Sequence, residues 1–272
     1  MATGPALTRL RPLRPLLERI VEAGAGESGA RALPGRPAAV TILTSARLPA
    51  PREKPLTPNR LLPWLAALAG AGAILSFVGG LPPAWGVALK PLATLLILAF
   101  AWPRGADAPR QRRFIRIGLL LSLIGDVFLL WPDEGFLPGL IAFLLAHLAY
   151  IAAFCVPVRL AARPAVFVGY GAVAAAILLP LWPGVPAALR APVLAYVLCL
   201  ATMAAQAGVW WRAGRADAPL ARRAALGGLL FMASDSLLAI NRFGVPLPLS
   251  ALWILSTYWL AQGCIASALR PR

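Results

Sequence analysis

Histidine occurs once in this chain, as His147, and cysteine three times, as Cys155, Cys199 and Cys264, with no CxxC pair. A zinc site of the usual His/Cys type therefore lacks ligands, which sets aside the multi-histidine zinc hydrolases of membranes, and no metal or cofactor is expected. The cysteines fall in apolar runs and read as small packing residues. Acidic residues are scarce as well, 10 Asp and Glu against 26 Lys and Arg. Charged residues of both signs make up 13% of the chain and hydrophobic ones 60%. That balance is a membrane protein's.

Mostly apolar windows long enough to cross about 30 Å of hydrocarbon as helices recur after residue 60. They lie near 61–79, 84–102, 114–131, 136–158, 164–182, 190–211, 222–241 and 249–269. The expected fold is all-α, a polytopic bundle of about eight transmembrane helices. Arginine clusters follow alternate windows: Arg104, Arg110, Arg112 and Arg113, then Arg159 and Arg163, then Arg212, Arg215, Arg222 and Arg223, then Arg270 and Arg272. The opposite loops hold Asp133, Glu134 and the single arginines Arg190 and Arg242. By the positive-inside rule both termini are expected in the cytoplasm, with the protein in a bacterial inner membrane. The net charge of +16 thus follows topology, and a nucleic-acid partner is not expected, since no soluble domain gathers the basic residues.

Residues 1–57 have another composition, rich in Arg, Pro, Ala and Gly. They read as a disordered basic cytoplasmic tail, and 58–272 as the membrane domain. A signal peptide is not expected, because no uninterrupted apolar core follows the early arginines.

After residue 57 the acidic residues are Asp107, Asp126, Asp133, Glu134, Asp217 and Asp235. Only Asp126 and Asp235 fall within windows, and Lys90 is the one cation placed well inside one. A charge at a helix centre costs roughly 2.5–3.5 kcal/mol on insertion scales, so these three are expected to meet. At 1.5 Å per residue, Lys90 lies roughly 9 Å and Asp126 roughly 8 Å below the outer boundary, with Asp235 at similar depth. Tyr258 and, one turn deeper, Gln262 reach the same level from the last window, as does His147, whose helix face also carries Phe143, Tyr150 and Phe154.

Five stretches, KPLATLLIL (90–98), GLLLSLIGDVFLL (118–130), GFLPGLIAFLLAHLAYIAAF (135–154), GGLLFMASDSLLAINRF (227–243) and STYWLAQGCIASAL (256–269), resemble the lysoplasmalogenase family of YhhN-like membrane proteins. The resemblance covers roughly 60–270. It implies an integral membrane hydrolase that cleaves the vinyl-ether bond of a lysophospholipid, releasing a fatty aldehyde and a glycerophospho-base. The polar residues that match are Lys90, Asp126, His147, Tyr150, Ser234, Asp235, Tyr258 and Gln262.

Vinyl-ether hydrolysis begins with protonation of a double-bond carbon and passes through an oxocarbenium ion that water attacks. Its acid must carry a proton near neutral pH, a state that burial and a second nearby carboxylate both favour. The partner carboxylate then orients water or faces the cation, a division of labour also used in glycoside hydrolysis. Asp126 and Asp235 are the candidate catalytic pair, with neither assigned as the donor. Lys90 is a candidate to hold one aspartate or the lipid phosphate, and Tyr258 and Gln262 to orient glycerol or water. An apolar slot is expected beside the pair, with Phe143 and Trp259 in its wall.

Each residue also has a packing role open to it. The aspartates suit an interhelical pair with Lys90, and His147 suits packing on an aromatic face. Tyr150, Ser234 and Ser236 suit helix joining, and the Lys90 ammonium suits carbonyls freed by Pro91. Two other function classes stay open. A proton-coupled transporter uses midmembrane charges, although no convincing inverted repeat is present. An intramembrane aspartyl protease needs two aspartates, although the flanks of Asp126 and Asp235 lack that family's YD and GxGD pairs.

Overall fold

The structure, a computed structural model, describes residues 58–131, 133–214 and 217–271. The tail expected over 1–57 lies outside the described residues. The rest forms eight α-helices: α1 (Pro58–Phe77), α2 (Pro83–Ala101), α3 (Pro109–Phe128), α4 (Phe136–Phe154), α5 (Pro164–Leu181), α6 (Arg190–Arg212), α7 (Ala218–Phe243) and α8 (Ser250–Ser267). Proline opens α2, α3 and α5, where its fixed φ suits a first turn and its missing N–H costs nothing.

Among the described residues, six helices (α1, α2, α4, α5, α6 and α7) are long and apolar enough to cross a membrane. The chain is a polytopic helical membrane protein. The two remaining helices are the polar ones: α3 carries four arginines and Asp126, and α8 carries Ser256, Thr257, Tyr258 and Gln262. The bundle is inverted relative to a soluble protein. Trp64, Leu68, Val168 and Leu179 stand on its outside, each about 70% exposed, whereas Thr94, His147, Gln206 and Gln262 are fully buried. In lipid this arrangement draws polar groups inside the protein and leaves apolar ones to the solvent.

Packing sets a ring in the order α2, α3, α4, α6, α7, α8, closed where α8 meets α2. The other two helices lie outside it, α1 against α2 and α8, α5 against α6 and the edge of α7. On α5 only Ala174 is buried. Close approach within the ring depends on small residues, as in membrane bundles generally. A Cβ on Gly118 would stand 2.2 Å from the Tyr150 ring, and one on Gly125 would stand 2.6 Å from the Phe143 ring. The antiparallel α3 and α4 thereby nest two aromatic side chains, two turns apart, into two gaps, also two turns apart. A Cβ on Gly228 would likewise stand 2.9 Å from Ala204 Cα of α6.

At the end of the bundle that carries the arginine clusters, buried side chains tie off the helix termini. Gln206 donates to the carbonyls of Phe154, Val158 and Arg159 at 3.2–3.4 Å and accepts from the Ala161 N–H at 3.2 Å. Arg104 donates to the Leu269 carbonyl at 3.2 Å. These bonds satisfy carbonyls that a helix end leaves open.

Candidate active site

A cavity of about 670 Å³ occupies the opposite end of the ring. Both Asp126 and Asp235 line it. Asp126, from the last turn of α3, is buried, and its Oδ2 accepts from Thr94 Oγ1 of α2 at 2.5 Å and from the Tyr258 hydroxyl of α8 at 2.8 Å. Thr94 is held in turn by the Trp259 indole N–H at 3.1 Å. Behind that indole, Gly70 of α1 comes so near that a Cβ there would stand 2.8 Å from the ring.

Asp235, from α7, is only partly buried. Its Oδ2 accepts from the Tyr196 hydroxyl of α6, and His147 Nε2 of α4 lies 3.1 Å from that hydroxyl and 3.7 Å from the carboxylate. Phe231 stands between the two networks, its ring centroid 4.7 Å from that of His147 and 5.6 Å from that of Tyr258. The aromatic edges keep each carboxylate in its own set of donors while both face one space.

Lys90 also lines the cavity, but its hydrogen bond goes to the Leu129 carbonyl at the end of α3, at 3.3 Å. The expectation that its ammonium serves carbonyls freed by Pro91 in its own helix does not hold. The side chain bridges α2 to α3 because α3 ends one residue before Leu129 and leaves that carbonyl open.

Of the residues singled out in the sequence, Lys90, Asp126, Ser234, Asp235 and Tyr258 form part of the cavity wall, and His147, Tyr150 and Gln262 lie behind it. Tyr150 donates to Gln262 Oε1 at 2.7 Å in a fully buried pair. Ser234 spends its hydroxyl on the Ile254 carbonyl at 3.0 Å, joining α7 to α8. Phe143 lines the space as expected. Trp259 does not, because its indole turns toward Thr94 and packs against α1. Away from the carboxylates the wall is aliphatic, built from Ile177, Leu178, Val197 and Leu200 among others on α5 and α6.

A sequence model described as the YhhN family matches residues 85–269. The chain belongs to the YhhN family. Its similarity to curated relatives runs from mammals to bacteria. It is 35% identical over 161 residues to "Lysoplasmalogenase TMEM86A" of Homo sapiens, covering 58% of this chain and 66% of that protein. It is 37% identical over 196 residues to "Lysoplasmalogenase TMEM86B" of Sus scrofa, covering 68% and 75%. It is 33% identical over 176 residues to "Lysoplasmalogenase" of Mycobacterium tuberculosis, covering 60% of each. The chain thus spans about two thirds of the human relative's length. No solved structure matches it.

The YhhN match begins in α2 and leaves out α1, which the resemblance read from the sequence had included. It contains every residue of the two carboxylate networks, two of which sequence reasoning passed over. Thr94 stands one turn after Lys90 and shares its face, a signal within reach. Tyr196 had none, since nothing in its apolar surroundings connects it to an aspartate 39 positions later.

Proposed function

We propose that this chain hydrolyses the vinyl-ether bond of lysoplasmalogens. The observation that carries the reading is one cavity with two unlike walls, a pair of hydrogen-bonded aspartates on one side and an aliphatic slot on the other. The names of its relatives agree with it. The hydrocarbon chain lies along α5 and α6, and the ether oxygen and double bond come to rest between Asp126 and Asp235.

Asp235 is the proton donor in this reading. Asp126 accepts from two hydroxyls and shares the cavity wall with the Lys90 ammonium, contacts that favour its ionised form against burial. The proton therefore falls to Asp235, which opens to the cavity and which Tyr196 links to His147, a route by which the proton is replaced. Its proton goes to the double-bond carbon remote from the ether oxygen, giving an oxocarbenium ion on the adjacent carbon. Asp126, ringed by the donors Thr94 and Tyr258 and facing Lys90 across the cavity, is the acceptor that orients water and takes its proton. The hemiacetal so formed collapses to a fatty aldehyde and the free hydroxyl of the glycerophospho-base. Protonation and deprotonation balance, so no other reactant than water is consumed.

The same reading places all eight helices across the bilayer, α3 and α8 shielded by their neighbours, and keeps both termini cytoplasmic, supported by the arginines at one end.

The test is to incubate detergent-purified protein with a lysoplasmalogen, an ester lysophospholipid and a model transmembrane peptide, and to follow products by mass spectrometry. Long-chain aldehyde from the vinyl ether alone is expected. Peptide cleavage would move the chain to the aspartyl proteases, and no product from any of the three would favour a carrier.

A further inference from the structure

We propose that Arg242 and Asp133, at the mouth of the cavity, form the headgroup site for a zwitterionic lysophospholipid, the guanidinium taking the phosphate and the carboxylate taking the amine. This rests on the function proposed above and adds the residues that select the polar end of the substrate. Arg242 lines the cavity from the last turn of α7. It stands seven positions beyond Asp235, so the two share a helix face about 10 Å apart along the axis. An extended glycerol phosphate arm, together with the reach of an arginine side chain, spans that distance. A phosphate at Arg242 therefore sets the ether bond at the depth of the aspartates and points the chain into the slot.

The other cations of this end are committed elsewhere. Arg190 donates to the Val185 carbonyl at 3.3 Å and lies over the Trp182 ring, and Lys90 is buried on the Leu129 carbonyl. Arg242 is held more lightly. It rests 5.2 Å from the centroid of the Phe136 ring and pairs with Asp133 at 3.4 Å, where the two side chains are 38% and 90% exposed. An ion pair so open to water contributes little, whereas a phosphodiester offers the planar guanidinium two oxygens at once. As the phosphate displaces Asp133, the carboxylate is left beside the bound anion, where the cationic base of the headgroup meets it. The empty site is thus closed by the same opposite charges that the ligand separates.

The experiment compares wild type, Arg242→Gln and Asp133→Asn on three vinyl-ether lipids of one chain length, ending in phosphocholine, in phosphate and in free glycerol. For Arg242→Gln, KM is expected to rise about 10- to 100-fold for both phosphorylated lipids, the worth of charge-assisted hydrogen bonds, with kcat nearly kept and the glycerol lipid unaffected. Arg242→Lys should recover part of the loss. Asp133→Asn should raise KM for the phosphocholine lipid a few-fold and lower it for the phosphate lipid, which no longer competes with a carboxylate. An equal loss on all three lipids, or no loss on the phosphorylated pair, overturns the proposal. Should wild type release no aldehyde at all, the hydrolase reading falls, and a non-cleavable alkyl-ether lysophosphocholine still decides the headgroup site. Weaker thermal stabilisation of Arg242→Gln than of wild type by that lipid supports the site, and equal stabilisation removes it.

Discussion

The first four helices and the last four hold their aspartates by the same plan with different chemistry. In each half the carboxylate sits on the third helix, Asp126 on α3 and Asp235 on α7, and accepts from a hydroxyl on the second, Thr94 on α2 and Tyr196 on α6. In each half the remaining ring comes from the fourth helix of the other half, Tyr258 of α8 for Asp126 and His147 of α4 for Asp235. Neither half completes its own site: the meeting of α4 with α6 brings His147 to Asp235, and the meeting of α8 with α2 brings Tyr258 to Asp126. The difference lies in what stands nearby. Asp126 has Lys90 on the cavity wall and is buried, whereas Asp235 has an imidazole behind a tyrosine and opens to the cavity. One plan filled with unlike partners is the asymmetry on which the proposed division of acid and base work rests.

The outlying helices differ likewise. α1 backs the Asp126 network through Gly70 and Trp259, while α5 walls the aliphatic slot, packs on α6 and leaves most of its surface exposed.

The largest test of this comparison is Asp126→Asn against Asp235→Asn. Each should leave the protein folded and lower aldehyde release by roughly 10²–10⁴-fold, and the double variant should lose far less than the product of the two, because the groups act on one reaction. A variant that keeps near-normal turnover would show that its half serves packing alone.

Next in size is the pair Tyr258→Phe and Tyr196→Phe. Each removes one hydrogen bond to a carboxylate, worth about 1.5–3 kcal/mol, and so about 10- to 100-fold in kcat/KM. The halves become distinguishable when His147→Gln is added to each. It should change little on the Tyr196→Phe background, where the link to Asp235 is already cut, and should add its full effect on the Tyr258→Phe background.

The smallest effects concern packing and are read from thermal unfolding in detergent. Gly118→Ala drives a methyl into the buried Tyr150 ring and should cost about 1–3 kcal/mol. Gly171→Ala on α5, where a Cβ meets open space, should be neutral or stabilising by up to about 1 kcal/mol. Equal losses from the two would erase the distinction between ring and outlying helix.

Much of this site was legible before any coordinates. Asp126 and Asp235 announced themselves because a charge in an apolar window is costly, and depth counted along each window brought them to one level. Tyr196 and the true direction of Trp259 were not legible, since a tyrosine or tryptophan among aliphatic residues looks the same whether it faces lipid, a neighbour or a cavity. The choice between those surroundings is made by helix rotation, which short-range sequence does not encode.

By itself the sequence determined that this chain crosses a membrane as several helices, which of its residues are too polar for lipid, and how far along each helix they stand. These follow from hydropathy and from a fixed rise per residue, both of which act along one helix at a time. Only the tertiary structure decided that α1 and α5 stand outside the ring, that the fourth helix of each half serves the carboxylate of the other, and that an aliphatic slot adjoins the pair. Those outcomes depend on which helix faces meet, and each meeting is set by a fit such as that of Gly118 and Gly125 to Tyr150 and Phe143 or of Gly228 to Ala204, a property of two helices together.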